Sequence, residues 1–301
     1  MKCTVLCAAI FAAAASAEAA FTGTTNYWVG AQWADFNDAS NWRAGDPEVG
    51  ASAVPTANDM IMLDPSTTYA FDMGGKTNVV AQILGTANNS GSGKGTVQIT
   101  NGALRVEGLY SKEMKAVVWD GGLFTFGSSD VLFNSGIGGT CQHQVKSGGT
   151  VDIKALAYQG YYLTVETGGR ANLLANRIIT HPGPASSNHS SFDIYGSFSA
   201  ERGFTFSDPP YWNPSSGDDV PTRFTVFPGG TLSLGGNVVE TTSRVGLHFL
   251  FKGGTLAATG DVKFQNVSSF VVEDGAELEC NVAEGVSLRL PAIAQYGAGS
   301  V

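Results

Sequence analysis

From about residue 95 onward, apolar and polar side chains alternate in short runs that break at a glycine and then resume. The clearest breaks are Gly102, Gly121, Gly148, Gly168, Gly196, Gly229, Gly253 and Gly275. Three positions before seven of them stand Ile99, Val118, Val145, Val165, Val226, Leu250 and Val272. Five positions before stand Val97, Ala116, His143, Leu163, Phe224, His248 and Phe270. Three after come Phe124, Val151, Ala171, Leu232, Leu256 and Leu278, and five after come Phe126, Ile153, Leu173, Leu234, Ala258 and Cys280. After Gly102 the same apolar pair arrives one residue early, as Leu104 and Val106; Gly196 is looser, flanked by Phe192, Ile194, Phe198 and Ala200. Alternation of period two marks a strand with one buried face. A glycine at the pivot fits a corner that needs positive φ, where a Cβ is costly.

Asn-Gly and Asp-Gly, at 101–102, 120–121 and 274–275, are also hairpin turns. The pivots, however, lie 19 to 33 residues apart, too far for a run of simple hairpins. A second turn recurs at Gly108, Gly203, Gly236 and Gly260, and a third apolar run follows at Phe204-Thr205-Phe206, Val238-Val239 and Val262-Lys263-Phe264. Three strands and two corners in about 25 residues describe one coil of a stacked repeat. The pattern predicts an all-β chain whose residues 76–301 form a right-handed parallel β-helix, a solenoid of about eight coils; an antiparallel sandwich or β-prism is the competing arrangement. At ~4.8 Å per coil the rod would be about 38 Å long. Cys141 and Cys280 would then stand five coils apart, roughly 24 Å. That is beyond the ~7 Å Cα separation a disulfide spans. Two free thiols are expected, with Cys280 in a core ladder.

Composition agrees with a turn-rich β protein. Glycine accounts for 39 of 301 residues, about twice the usual share, while charged residues make up only 14%. The net charge of −9 argues against nucleic acid as a partner, and no apolar run is long enough for a transmembrane helix. Residues 1–17 read as a signal peptide: Lys2, an apolar run from Val5 to Ala15, and a small-residue cleavage site at Ala15-Ser16-Ala17. Its removal takes away Cys3 and Cys7, leaving only Cys141 and Cys280. Localisation outside the cell, secreted or at the surface, is therefore expected.

Residues 18–75 have another texture and read as a tryptophan-rich N-terminal cap. Trp28-Val29-Gly30 is followed by Trp33, then Asn41-Trp42, then Pro55 to Asp59 entering the apolar Met60-Ile61-Met62-Leu63. This succession resembles the opening of autotransporter-passenger or adhesin-like bacterial surface proteins, the tryptophan-rich start of autotransporter-associated repeat proteins. The resemblance is close over this segment and extends over the coils by pattern alone. It implies an exported, elongated β-solenoid that displays a surface or adheres. Such passengers usually run on into further coils and a membrane barrel or sorting tail. The expectation is therefore either a fragment of a longer protein or an open C-terminal end that pairs with downstream coils or another chain. Trp28, Trp33 and Trp42 are read as the core of the cap rather than as a sugar platform.

Catalytic signatures are missing: there is no His-Glu-x-x-His, Gly-x-Ser-x-Gly or Cys-x-x-Cys. Gly91 to Thr96 imitates a phosphate loop, but Lys94 is followed by glycine. His143 and His248 share a register on the repeat, yet about 19 Å of rod would lie between them, too far to share a metal. The acids do not recur at one register, as a glycosidase pair or a calcium-assisted lyase would need. No catalytic residue, metal site or cofactor is assigned, and the leading expectation is a non-enzymatic structural or adhesive rod. The alternative is a carbohydrate-binding or polysaccharide-degrading β-helix that uses the long 181–222 excursion. Its candidate glycan contacts are Asp208, Tyr211, Trp212, Asp218 and Asp219, aromatic faces for a sugar ring beside carboxylates for its hydroxyls.

Overall fold

The alternating runs become strands that pair in parallel with their counterparts one coil away, whereas in the cap Thr25–Trp28 pairs antiparallel with Trp42–Ala44. The computed structural model describes residues 23–64, 67–85, 95–107, 115–126, 141–153, 156–158, 161–174, 177–180, 190–207, 222–241, 246–292 and 294–295. The strands before the pivots stack into an eleven-stranded first wall that runs from Ala34–Asp35 through Thr68–Asp72, Thr96–Thr100 and onward to Ala294–Gln295. Those after the pivots form a nine-stranded second wall from Thr77–Val80 to Glu279–Val282, and a six-stranded third wall runs from Leu156–Tyr158 to Leu288–Arg289. The neighbours along each wall are successive turns of the chain, the topology of a parallel β-helix. No helix among the described residues is long and apolar enough to cross a membrane.

The core is built from rows of like residues. On the first wall Val97, Ala116, His143, Leu163, Phe192, Phe224, Phe249 and Phe270 follow one another in register, and all are buried. The phenylalanines stack: ring centroids are 4.2 Å apart for Phe192–Phe224 and 5.2 Å for Phe224–Phe249. Opposite them, Leu104, Phe124, Val151, Ala171, Phe198, Leu232 and Leu256 line the second wall. A parallel ladder places equivalent side chains about 4.8 Å apart, so one aromatic in the row favours the next.

The walls turn at the corners that the glycines mark. Gly229 has φ +81° and sits in open space, whereas a Cβ on the adjacent Gly230 would lie 2.2 Å from the carbonyl oxygen of Ile194, one coil away. Most corners hold four residues, as Trp119 to Gly122 do between Val118 and Leu123. At Gly102 one residue is missing, Asn101 takes φ +52°, and Leu104 therefore arrives early.

Another short corner, at Gly253, changes the reading of one coil. Counting from Gly253 places Leu250 and His248 inside, but the coil turns through Gly253 and Gly254, both with positive φ. Phe249 and Phe251 pair with Phe224 and Val226 and are buried, while His248 and Leu250 face outward. The run Leu247 to Phe251 carries apolar residues in both parities, and the parity that buries three large apolar groups prevails over the one that buries a leucine and a histidine.

The parallel stack also reaches further back than residue 76. Thr68–Asp72 pairs with Thr96–Thr100, and Ala34–Asp35 extends the same wall, so the tryptophan-rich segment is continuous with the rod. At its heart Trp42 and Phe36 are fully buried against Phe71, and the Trp42 indole N–H donates to the Phe36 carbonyl at 2.8 Å. Trp28 packs edge-on against both Trp42 and Phe71. Gly30 lets the chain pass here, since a Cβ would sit 2.6 Å from the Asn41 side chain and 2.7 Å from the Trp28 ring. The Trp-x-Gly and Asn-Trp segments are thus two sides of one contact. Asp59 closes the turn before Met60–Leu63, accepting from the Thr24 N–H and from the Thr56 N–H and hydroxyl, each at 2.7 Å. Burial raises its pKa, but these hydrogen bonds outweigh that and hold it below the usual carboxylate range.

Cys280 departs from expectation. It pairs with Leu256 at the core register, yet it is exposed, because Glu279–Val282 is the last strand of the second wall and no further strand covers it among the described residues. Its thiol is free, and partial burial pushes its pKa upward. Five strand steps separate its coil from that of Cys141, whose side chain lies outside the described residues.

Candidate functional site: the outer corner row of the first wall

Immediately after the last inward residue of each first-wall strand comes an outward position at the corner. Successive coils place Thr100, Trp119, Lys146, Glu166, Tyr195, Phe227, Lys252 and Glu273 there. Backbone hydrogen bonds of 2.8–3.0 Å carry the ladder through these positions: Trp119 N–H donates to Ile99, Lys146 to Val118, Glu166 to Val145, Tyr195 to Val165, Phe227 to Ile194, Lys252 to Val226 and Glu273 to Phe251. The parallel register itself therefore arranges these side chains in a line along the rod.

Neighbours in the row match chemically. The Lys146 ammonium lies 5.4 Å from the Trp119 ring centre and pairs with Glu166. Burial works against the Glu166 charge, but hydrogen bonds from Lys146 and Gln144 prevail and keep its carboxyl below the usual range. Four coils further on the sequence of types repeats: Lys252 lies 5.7 Å from the Phe227 ring and reaches Glu273 at 3.6 Å, while Tyr195, one coil before, stacks on Phe227 at 3.9 Å. Aromatic, lysine, glutamate is the order both times. Exposed cation–π contacts of this kind contribute about 0.5–1 kcal/mol each, and partly exposed ion pairs about 0–1 kcal/mol.

Trp33 joins this row from the cap. Its backbone N–H donates to the Ala70 carbonyl on the first wall, and its ring meets Trp119 edge to face at 6.0 Å. It does not belong to the cap core: 41% of Trp33 is exposed, against 38% of Trp119 and 37% of Tyr195. These three are the exposed aromatic side chains among the described residues: Trp119 and Tyr195 stand in the row, and Trp33 meets it through its contact with Trp119. Trp33 also holds φ +62°, a region that bulky residues rarely occupy. The Trp119 indole is fixed by its N–H, which donates to Gln98 Oε1 at 2.7 Å.

The histidines separate as the ladder dictates. His143 is buried, edge-on to Phe124 and Tyr161, with Nδ1 2.7 Å from the Tyr161 hydroxyl; burial lowers its pKa to about 3. His248 faces outward, with Nδ1 2.8 Å from the Ser269 hydroxyl. Asp152 accepts from Asn172 at 2.8 Å, and Asp120 offers its backbone carbonyl to the Thr100 hydroxyl, structural uses in both cases. No group of three potential metal ligands occurs among the described residues. Asp208, Tyr211, Trp212, Asp218 and Asp219 all lie outside the described residues. The row at 119, 146, 166, 195, 227, 252 and 273 escaped the sequence reading because that alignment followed the inward positions. The signal was present one residue beyond each inward aliphatic. No protein-family model, curated protein or solved structure matches this chain.

Proposed function

We propose that the chain is an exported, non-enzymatic rod, secreted or displayed at a cell surface, that acts in a structural or adhesive role. The observation that carries this reading is the in-register stacking of the coils, which spends the apolar surface on one long core and leaves the walls as extended, repetitive outer faces. Its support from the sequence is the leader-like stretch Met1 to Ala17 and the resemblance of the cap motifs to bacterial surface proteins. The acids and histidines described above serve ladders and turns, which suits a scaffold better than a reaction centre.

Expression of the intact gene with a C-terminal tag in a bacterial host, followed by fractionation, tests the export half. The processed chain is expected in the medium or on protease-accessible cells, and deletion of residues 2–17 is expected to retain it in the cytoplasm. Full-length protein confined to the cytoplasm would overturn the proposal. Adhesion is read separately, as binding of bead-coupled protein to glycan-coated surfaces.

A further inference from the structure

The geometry points to the outer corner row as a binding strip for a linear, neutral polysaccharide, centred on Trp33 and Trp119 and continuing to Tyr195. This inference builds on the adhesive reading and names the ligand class for it. Three observations select that class. First, the exposed aromatic side chains of the described residues gather on one wall, Trp119 and Tyr195 in the row and Trp33 against Trp119, and Trp33 keeps a backbone conformation unfavourable for a bulky residue. An exposed ring held at such a cost is a functional candidate.

Second, the row is neutralised. Lys146 and Lys252, its two lysines, are each paired with a glutamate, and the whole chain carries −9. A polyanion, whether nucleic acid or uronate polymer, draws its affinity from uncompensated cations and gains little here. Third, the polar side chains around the rings are of the kind that bond sugar hydroxyls. Gln98 uses its Oε1 on the Trp119 indole, and its amide nitrogen has no protein partner among the described residues. Pyranose rings present apolar C–H faces between hydroxyls, and an aromatic surface bordered by amides, carboxylates and a phenol suits both. Trp119 and Tyr195 lie three coils apart, about 14 Å along the axis, so an extended chain of several sugars would meet both.

The test uses the full chain in pull-down and titration against insoluble cellulose, insoluble β-1,3-glucan and, as an anionic comparison, pectate. Retention on a neutral polymer is expected. Trp33→Ala and Trp119→Ala are each expected to weaken it about tenfold, near 1.4 kcal/mol, and the double variant to abolish it. Tyr195→Ala should have a smaller effect, and Leu174→Ala, an exposed leucine at the second wall, none. Far-UV circular dichroism and thermal melts establish that each variant keeps the fold. Equal retention of wild type and the tryptophan variants would place glycan contact elsewhere and sink this inference, while leaving the rod and its adhesive role intact. Failure to bind any neutral polymer, a preference for pectate, or a dimer in light scattering that Trp33→Ala and Trp119→Ala dissolve would also overturn it. None of these outcomes bears on export, which fractionation decides.

Discussion

At the scale of single residues, His143 is the most consequential polar group. It occupies a core row between Ala116 and Leu163, where most members are aliphatic or aromatic, and its Nδ1 meets the Tyr161 hydroxyl. A buried imidazole stays neutral because charging it would forfeit hydration. The folded pKa of about 3 lies below the unfolded value near 6.5, so the unfolded chain takes up the proton first as the medium is acidified. Stability from this group is complete above about pH 6.5 and is lost as pH falls towards 3, by up to ~1.4 kcal/mol per pH unit. Urea unfolding at pH 7 and pH 5 should therefore differ by about 2 kcal/mol. His143→Leu should remove most of that difference, since Asp38, Asp46, Asp59, Glu166 and Asp261, all held below their usual range, titrate at lower pH. An unchanged difference in the leucine variant would show that the imidazole is not protected in the folded state.

At the scale of elements, the corners decide where each strand begins. The two glycines at 229 and 230 carry different burdens: the first supplies positive φ in open space, the second admits the backbone of the preceding coil. Gly229→Ala should cost about 1–2 kcal/mol, the usual penalty for a Cβ in the left-handed region. Gly230→Ala meets a carbonyl that cannot swing aside, so its cost should be clearly larger, and the order of the two melting temperatures checks the assignment. The same corners explain what could be read from the chain. Ile99, Val118, Val145, Val165 and Val226 were legible because their strands meet four- or three-residue corners at the glycine used for counting. Leu247–Phe251 was not, because adjacent Gly253 and Gly254 leave the count ambiguous by one, and one step inverts a strand.

At the scale of the whole molecule, each coil rests only on its neighbours, so damage should stay local before it spreads. Phe224 stacks with Phe192 on one side and Phe249 on the other, and also meets Phe198 and Phe204 across the core. Phe224→Ala removes a fully buried ring and should cost ~3–5 kcal/mol. Hydrogen exchange should then accelerate in Ser190–Ile194, Thr222–Val226 and Leu247–Phe251, while Thr96–Thr100 and Lys115–Val118 keep their protection. Uniform loss across the rod would instead indicate a single cooperative unit.

The alternation of side chains and the corner glycines were enough to establish an all-β stack of parallel coils, because burial on one face of a strand writes a period of two directly into the residues. Which residues stand beside one another along the rod was another matter. The line from Trp33 and Trp119 to Glu273, the exposure of Cys280 and the outward turn of His248 depend on corner lengths and on which coil lies above. Neighbours on successive coils are about 20 to 30 residues apart in the chain and about 5 Å apart in space, Trp33 and Trp119 are 86 residues apart with ring centres at 6.0 Å, and only folding brings them together.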